Sequence, residues 1–504
     1  MSFDPSDLEH KIFDLLSIRA KVIPLFKADS ELECGNYRPI SQLSPISKCI
    51  EKAAQKQILH YTNSNHIIPD LQFGFRALHS TLHPLLAVTE YIQRKLRKNE
   101  HVFLCAIDLK KCFDLVQTVK ILPKKLKHLN FDDNSINWIT SFFANRRQFA
   151  HVNNTNSTTE KLHDISLTQG SSMGPPTFSI FVFDLPLHTN FTTFLFADDT
   201  TLLLSNPSLH QLILDANKEL AKIENYMVAN ELFLNYKKTV YTLYHPPGID
   251  ITAPPPKAKI GDHPIEMVHS IKFLGLTLEH NQSFSIHYDN VTTKMRKGIA
   301  GLSLVRFDFP ITTKMMIYNS LVKSAYEYAN PIWILSLTKS QINYILKLQK
   351  RALRCIFRIR KKCHSNYLFK KSGIIRFDHF FTKFVIDLLF GYFKNALPNK
   401  IMELLNHFDF PRALRNSNKH CFNIPLHLAK GDLFFEIMSH WNKLPNYLKI
   451  QIFDEAKREK PSKLIIKKLT KKYIESLYEE CNLKPCALCV QTKLLILKEQ
   501  KNDD

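Results

Sequence analysis

Asp198 and Asp199 stand side by side in the run FADDTTLLL, with apolar and β-branched residues on both sides. Residues 193–196 and 200–204 read as short strands, so the pair is expected at a tight turn between them. Asp is an ordinary turn residue, and a solvated loop tip explains an isolated pair well. What these carboxylates do therefore depends on what the rest of the chain brings to them.

A third carboxylate lies upstream. The run VFLCAIDLKKCFD at 102–114 predicts a buried strand that ends at Asp108, 90 residues before Asp198. Alone, Asp108 reads as a strand-end or helix-capping residue. With Asp198 and Asp199 it makes a set of three acids able to share two divalent cations. Mg²⁺ prefers an octahedral shell of oxygens and takes only a few of them from protein. Two such ions activate an attacking hydroxyl and neutralise the leaving oxygen, which is the chemistry of nucleotidyl transfer.

Composition points to a polyanionic partner. The 504 residues are 44% hydrophobic and 23% charged, enough for sizeable cores and about two or three domains. The formal net charge is +22. Residues 341–504 hold 32 Lys plus Arg and 15 Asp plus Glu, which is +17 of that total, so the last third suits a phosphate backbone or an anionic lipid. The first twenty residues mix Asp4, Asp7, Glu9, Lys11 and Asp14 among apolar positions, unlike a signal peptide. The most apolar stretch, 380–393, is too short for a membrane span and is interrupted by Lys383 and Asp387. Ten mostly scattered cysteines fit reduced thiols. The expected setting is intracellular, cytoplasm or nucleus, with no membrane.

Glycine is scarce, 12 residues where an average chain of this length has about 35, which singles out Gly74, Gly170, Gly174 and Gly275. Helical patterning fits 47–61, 81–98, 210–230 and 318–328, and strand patterning also fits 102–107 and 271–278. Pro246, Pro247, Pro254, Pro255 and Pro256 exclude a central strand or continuous helix in their segment. The expected fold class is α+β, mixed α/β, over residues 30–280, with a helical and basic region beginning near residue 285.

Seven short runs occur in order: NYRPISQL (36–43), QFGFR (72–76), AIDLKKCFD (106–114), TQGSSMGPPTFSIFVFDLP (168–186), FADDT (196–200), LNYKKT (234–239) and KFLG (272–275). Together they resemble the reverse transcriptase domain of non-LTR, LINE-type retrotransposons of the jockey-like kind, closely over 20–280. The likeness continues more loosely through LVKSAYEYANPIW (321–333), LQKRALRCI (348–356) and HWNKLPNYLK (440–449). It implies a right-hand polymerase fold, with fingers and palm over 1–280, a helical thumb-like region over 281–365 and a basic, mostly helical C-terminal region over 366–504.

The resemblance further implies an RNA-directed DNA polymerase that extends a DNA 3′ end on an RNA template with deoxynucleoside triphosphates. Asp108, Asp198 and Asp199 would be the catalytic metal carboxylates for two Mg²⁺ ions, with Mn²⁺ as a substitute, and Lys238 the general acid for departing pyrophosphate. Arg38 and Arg76 would meet the triphosphate. Phe113 would disfavour a 2′-hydroxyl, while Gln169 and Gly170 would line the nucleotide and template pocket. Phe273, Leu274 and Gly275 would grip the primer or target DNA. Lys347, Lys350, Arg351, Arg354 and Arg358 recur around apolar positions, so one helix face would pack while another follows the nucleic-acid backbone. Ordinary roles compete with each of these: a core aromatic, a surface ion pair, a solvated lysine, a plain hairpin. Cys481, Cys486 and Cys489 form a C-x4-C-x2-C cluster, one ligand short of a structural zinc site, and zinc is not expected there.

Some positions depart from the family pattern. Thr168 replaces the proline of GVPQGS, Cys112 an alanine, and Phe183 the Asn of NDL; these bear on rate or fidelity more than on fold. Only 35 residues precede Asn36, so the endonuclease that full-length elements carry is not expected, as in an element fragment, a truncated gene or a host copy. Two rivals stand beside this reading: a catalytically silent, retroelement-derived nucleic-acid-binding protein, and another polymerase of the same fold, such as an intron-type reverse transcriptase or an RNA-directed RNA polymerase. No motif specifies the template, the target site or the oligomeric state.

Overall fold

The computed structural model describes residues 19–27, 30–144, 146–161, 165–248, 256–359, 365–407, 421–425, 428 and 430–478. They form two compact units, one of Met1–Pro84 with Lys95–His269, the other of Leu85–Arg94 with Ser270–Asp504.

In chain order the longer elements up to His269 are β1 (Arg19–Phe26), β2 (Tyr37–Gln42), α1 (Pro45–Ser64), α2 (Leu82–Arg97), β3 (His101–Ile107), α3 (Leu122–His128), α4 (Asp133–Phe143), β4 (Arg147–Val152), α5 (Gly174–Phe181), β5 (Thr192–Phe196), β6 (Asp199–Asn206), α6 (Leu209–Ala229) and β7 (Val240–Tyr244). One sheet pairs β1 antiparallel with β2 and parallel with β4. The other has the antiparallel order β7–β3–β6–β5. β3 lies inside that sheet because its run is apolar on both faces, and Val102, Phe103, Leu104 and Cys105 are completely buried. Ser208 caps α6, accepting from the Gln211 N–H at 3.3 Å. Leu212, Ala216, Leu220 and Ile223 on that helix then join Phe103 and Leu202 in one core. Each such side chain contributes about 1.5–3 kcal/mol by leaving water, so the strand that leads into Asp108 is rigidly seated.

The helices expected over 47–61, 81–98 and 210–230 appear as α1, α2 and α6, and the strands over 102–107, 193–196 and 200–204 as β3, β5 and β6. Two expectations need correction. The run 271–278 is not one strand but a hairpin, β8 (Ser270–Phe273) and β9 (Leu276–Glu279), because Leu274 and Gly275 both take positive φ, 45° and 85°, as a two-residue turn requires. The helix over 318–328 widens into a π turn at Asn319–Lys323. There the backbone of Leu321 comes so near α7 (Ser285–Leu304) that a Cβ on Gly298 would lie 2.9 Å from the Leu321 carbonyl oxygen.

Beyond Glu279 the described residues form no further strand. α8 (Lys339–Ile356) begins with a reciprocal cap between Thr338 and Gln341. α9 (Phe380–Phe393), the most apolar stretch, is buried along most of its length within the second unit. Among the described residues no helix is long and apolar enough to cross a membrane.

Candidate active site

β3 ends at Ile107, which faces Thr200 on β6, while Phe196 faces Asp199 across the hairpin turn. Continuing the register by one residue sets Asp108 opposite Asp199, with Asp198 at the turn beside Ala197, whose φ is +58°. Asp108, Asp198 and Asp199 thus lie at the same end of the sheet. Loss of water around the Asp199 carboxyl, then the charges of Asp198 and Asp108, push its pKa upward.

Asp108 and Asp198 line a cleft of about 960 Å³, together with Arg38, Phe113, Gln169, Gly170 and Lys238. The LNYKKT loop locks Asp108 in place. Asn235 Nδ2 donates to Asp108 Oδ2 at 2.8 Å, Asn235 N donates to the Asp108 carbonyl at 2.8 Å, and Asp108 N donates to Thr239 Oγ1 at 3.3 Å. Lys238 N returns to the Asn235 carbonyl at 3.0 Å, so one short loop places both the carboxylate and the lysine.

A second loop forms another part of the wall. The buried Glu51 carboxylate accepts from Ser47 Oγ at 3.1 Å, Ser171 Oγ at 2.9 Å and Ser172 N at 2.7 Å, which ties this loop to α1. Gln169 accepts from Ser41 N through its carbonyl at 2.7 Å, and its Nε2 donates to Asp114 Oδ1 at 2.9 Å. Gly170 has φ +108° and a Cβ there would lie 2.5 Å from the Ser41 carbonyl oxygen, so only glycine fits. The Phe113 ring stacks on the buried Phe178, centroids 4.8 Å apart at 18°. Gly74 serves the acidic turn from behind. Phe73 N donates to the Leu195 carbonyl at 2.8 Å, and a Cβ on Gly74 would lie 2.3 Å from Ala197 N.

The other expected site residues have the following surroundings. Arg76 does not line the cleft: its Nη1 donates to the Pro69 and Gln72 carbonyls at 2.9 and 3.2 Å, and burial lowers its pKa. Phe273, Leu274 and Gly275 belong to the second unit, where Phe273 is buried and the Tyr328 hydroxyl donates to the Leu274 carbonyl. On α8, Lys347 and Arg351 are exposed, while Lys350 and Arg354 are half-buried. Arg358, just past the helix, donates to the carbonyls of Arg306 and Phe307, both at 3.0 Å, as a structural clip. Cys481, Cys486 and Cys489 lie outside the described residues. Sequence reasoning passed over Lys110, Lys111 and Asp114, which line the cleft, and Asn235, although all four stand inside the runs that were singled out.

Among the described residues no three His, Cys, Asp or Glu side chains converge closely enough to enclose a metal ion. Of the three cleft-lining carboxylates, Asp114 accepts from Gln169, while Asp108 and Asp198 still suit Mg²⁺, which draws one or two acids from protein and the rest of its shell from water and phosphate.

Residues 25–278 match the family described as reverse transcriptase (RNA-dependent DNA polymerase). The chain belongs to this family. The chain is similar to the RNA-directed DNA polymerase from mobile element jockey of Drosophila melanogaster, 27% identical over 355 residues, covering 67% of this chain and 37% of that protein. The Drosophila funebris jockey polymerase is 25% identical over 350 residues, with the same 67% and 37% coverage. The chain thus spans a little over a third of the length of these curated relatives. Among solved structures, telomerase from Candida albicans in complex with a fragment of telomeric RNA aligns with TM-score 0.37 and 12% identity over 70% of this chain and 65% of that one. The RNA-dependent RNA polymerase of a human picobirnavirus aligns with TM-score 0.36 and 10% identity over 71% and 62%. The jockey-like non-LTR family expected from the ordered motifs is the one found, and the mixed α/β architecture agrees with its right-hand polymerase fold.

Proposed function

We propose that this chain is an RNA-directed DNA polymerase that extends a DNA 3′ end on an RNA template with deoxynucleoside triphosphates. The observation that carries this reading is that Asp108 and Asp198 line one cleft with Arg38, Lys110, Lys111 and Lys238. Asp108 and Asp198 would hold two Mg²⁺ ions, or Mn²⁺, with Asp199 beside them. When bound, the metal supplies charge neutralisation and an acidified 3′-hydroxyl.

The chain's own residues supply the rest. Asn235 orients the Asp108 carboxylate through its amide. Arg38, Lys110 and Lys111 bring positive charge to the triphosphate. Lys238 is the proton donor to departing pyrophosphate. Phe113, braced by Phe178, faces the sugar, and the Gln169–Gly170 turn offers a bare backbone to the base pair. Such work belongs inside the cell, in the cytoplasm or nucleus, with an RNA template and a DNA primer or target as partners.

Primer extension on an RNA template in Mg²⁺ or Mn²⁺ tests the reading. The wild type extends the primer, and Asp198→Asn loses at least about 10²- to 10³-fold of that rate while template binding persists. A folded wild type that binds RNA and makes no DNA under either metal sinks the proposal.

A further inference from the structure

A second cationic feature lies well beyond residues 25–278, which match the family. α10 (Lys463–Ser476) reads KLIIKKLTKKYIES, with Glu475 as its one acid. Its buried residues are Ile466, Thr470 and Ile474, a single line at four-residue spacing that seats the helix on its own unit. Lys463, Lys467, Lys468, Lys471 and Lys472 are all exposed. Among the described residues only Lys471 of these has an acidic partner, Glu475 at 3.7 Å.

This arrangement costs the folded chain something. Lys463 with Lys467, Lys467 with Lys471, and Lys468 with Lys472 are like charges one turn apart, and each such pair disfavours a helix by about 0.2–0.5 kcal/mol. A bound polyanion relieves all three. Lys463, Lys467 and Lys471 form a row with steps of about 6 Å along the axis. Tyr447, on the neighbouring helix Asn446–Lys457, is 58% exposed and close to Tyr473, which adds an aromatic face for an unpaired base. An anionic membrane fits less well. The apolar line of α10 is already spent on the protein, and exposed Leu464, Ile465 and Leu477 make no continuous face for lipid.

We propose that α10 is a nucleic-acid-binding surface that holds the phosphate backbone of single-stranded RNA through Lys463, Lys467, Lys468, Lys471 and Lys472. Binding there is sequence-tolerant and electrostatic, and it does not depend on the chemistry of the cleft.

The test is fluorescence anisotropy of the full chain with a labelled oligouridylate over a salt series. Replacing Lys467, Lys468, Lys471 and Lys472 together by Gln makes the slope of log affinity against log salt shallower by about 0.7 for each lost contact, so by about 2–3 in all. The corresponding fourfold Lys→Arg variant keeps the wild-type slope. Should the Gln variant melt early, Lys467→Gln and Lys472→Gln alone read the same change in steps of about 0.7. A wild type with no salt-dependent RNA binding, or a folded Gln variant with wild-type slope and affinity, overturns the proposal. So does a Gln variant that loses only phosphatidylserine vesicles and keeps RNA. A chain that binds RNA in this way yet makes no DNA sinks the polymerase reading alone.

Discussion

Asp108 and Asp184 come from two of the ordered motif runs, and the fold gives them opposite surroundings. Asp184 is half-buried and fully paired. Lys125 Nζ donates to its two oxygens at 2.8 and 3.0 Å and the Tyr226 hydroxyl donates at 2.6 Å, while Lys125 also reaches the Phe181 carbonyl at 2.6 Å. Burial lowers the Lys125 pKa against the pull of Asp184, and burial followed by Asp184 raises that of Tyr226. Asp108 instead receives a neutral amide from Asn235, opens on the cleft, and shares the sheet end with Asp198 and Asp199. A charge that the protein compensates itself holds the fold together. Acids that the protein gathers at one end of a sheet, with no ion-pair partner among the described residues, await a cation from outside.

The largest effect that separates these regions is on stability. Lys125→Met leaves the Asp184 carboxylate without its cation, and the urea midpoint should fall by the equivalent of about 3–5 kcal/mol. Removing the acid as well, with Asp184→Leu, should recover much of that loss. Asp198→Asn should leave the midpoint unchanged or slightly higher, since it deletes one of three like charges. Equal destabilisation by Lys125→Met and Asp198→Asn would break the comparison.

How much of this was legible in sequence depended on whether the cause was local. β3 and the Asp108 that follows it could be read because a continuous apolar run bounded by an acid has few other interpretations, and FADDT could be read because strand formers flank a turn pair. Arg76 could not. Its guanidinium is drawn to the carbonyls of Pro69 and Gln72, and nothing in QFGFR says that those acceptors lie closer than the cleft. The break at Asn319–Lys323 was equally hidden, since it coincides with a close approach to Gly298, a residue from another helix. Asn235 was visible within LNYKKT, but its partner is 127 residues away and only the closed sheet brings them together.

That contact sets the next prediction. Asn235→Ala removes the amide that orients Asp108, and loss of a group that holds a metal-binding carboxylate costs about 10- to 100-fold in extension. The Mg²⁺ concentration needed for half-maximal rate should rise with it, whereas the loss in stability stays near about 1 kcal/mol. A variant with wild-type metal dependence but a collapsed melting curve would move Asn235 to the same side as Lys125, as scaffolding.

The smallest effect is a pH dependence at the acidic turn. In the metal-free protein the Asp199 pKa is raised by lost hydration and by Asp198 and Asp108, so the folded chain holds that proton more tightly than the unfolded chain. The stability that Asp199 contributes is then fully present below the ordinary Asp range and is lost as pH rises through the elevated folded pKa, because over that interval the native state binds this proton more fully. Asp199→Asn should flatten this part of the profile, and so should saturating Mg²⁺ if the acids share the ion. The contrast with Asp184 becomes measurable in one experiment: urea midpoints between about pH 4 and 7, with and without metal, for the wild type and Asp199→Asn. A wild-type profile that rises with pH over that interval, and does so identically in the variant, would mean that the three carboxylates do not repel one another in the folded chain.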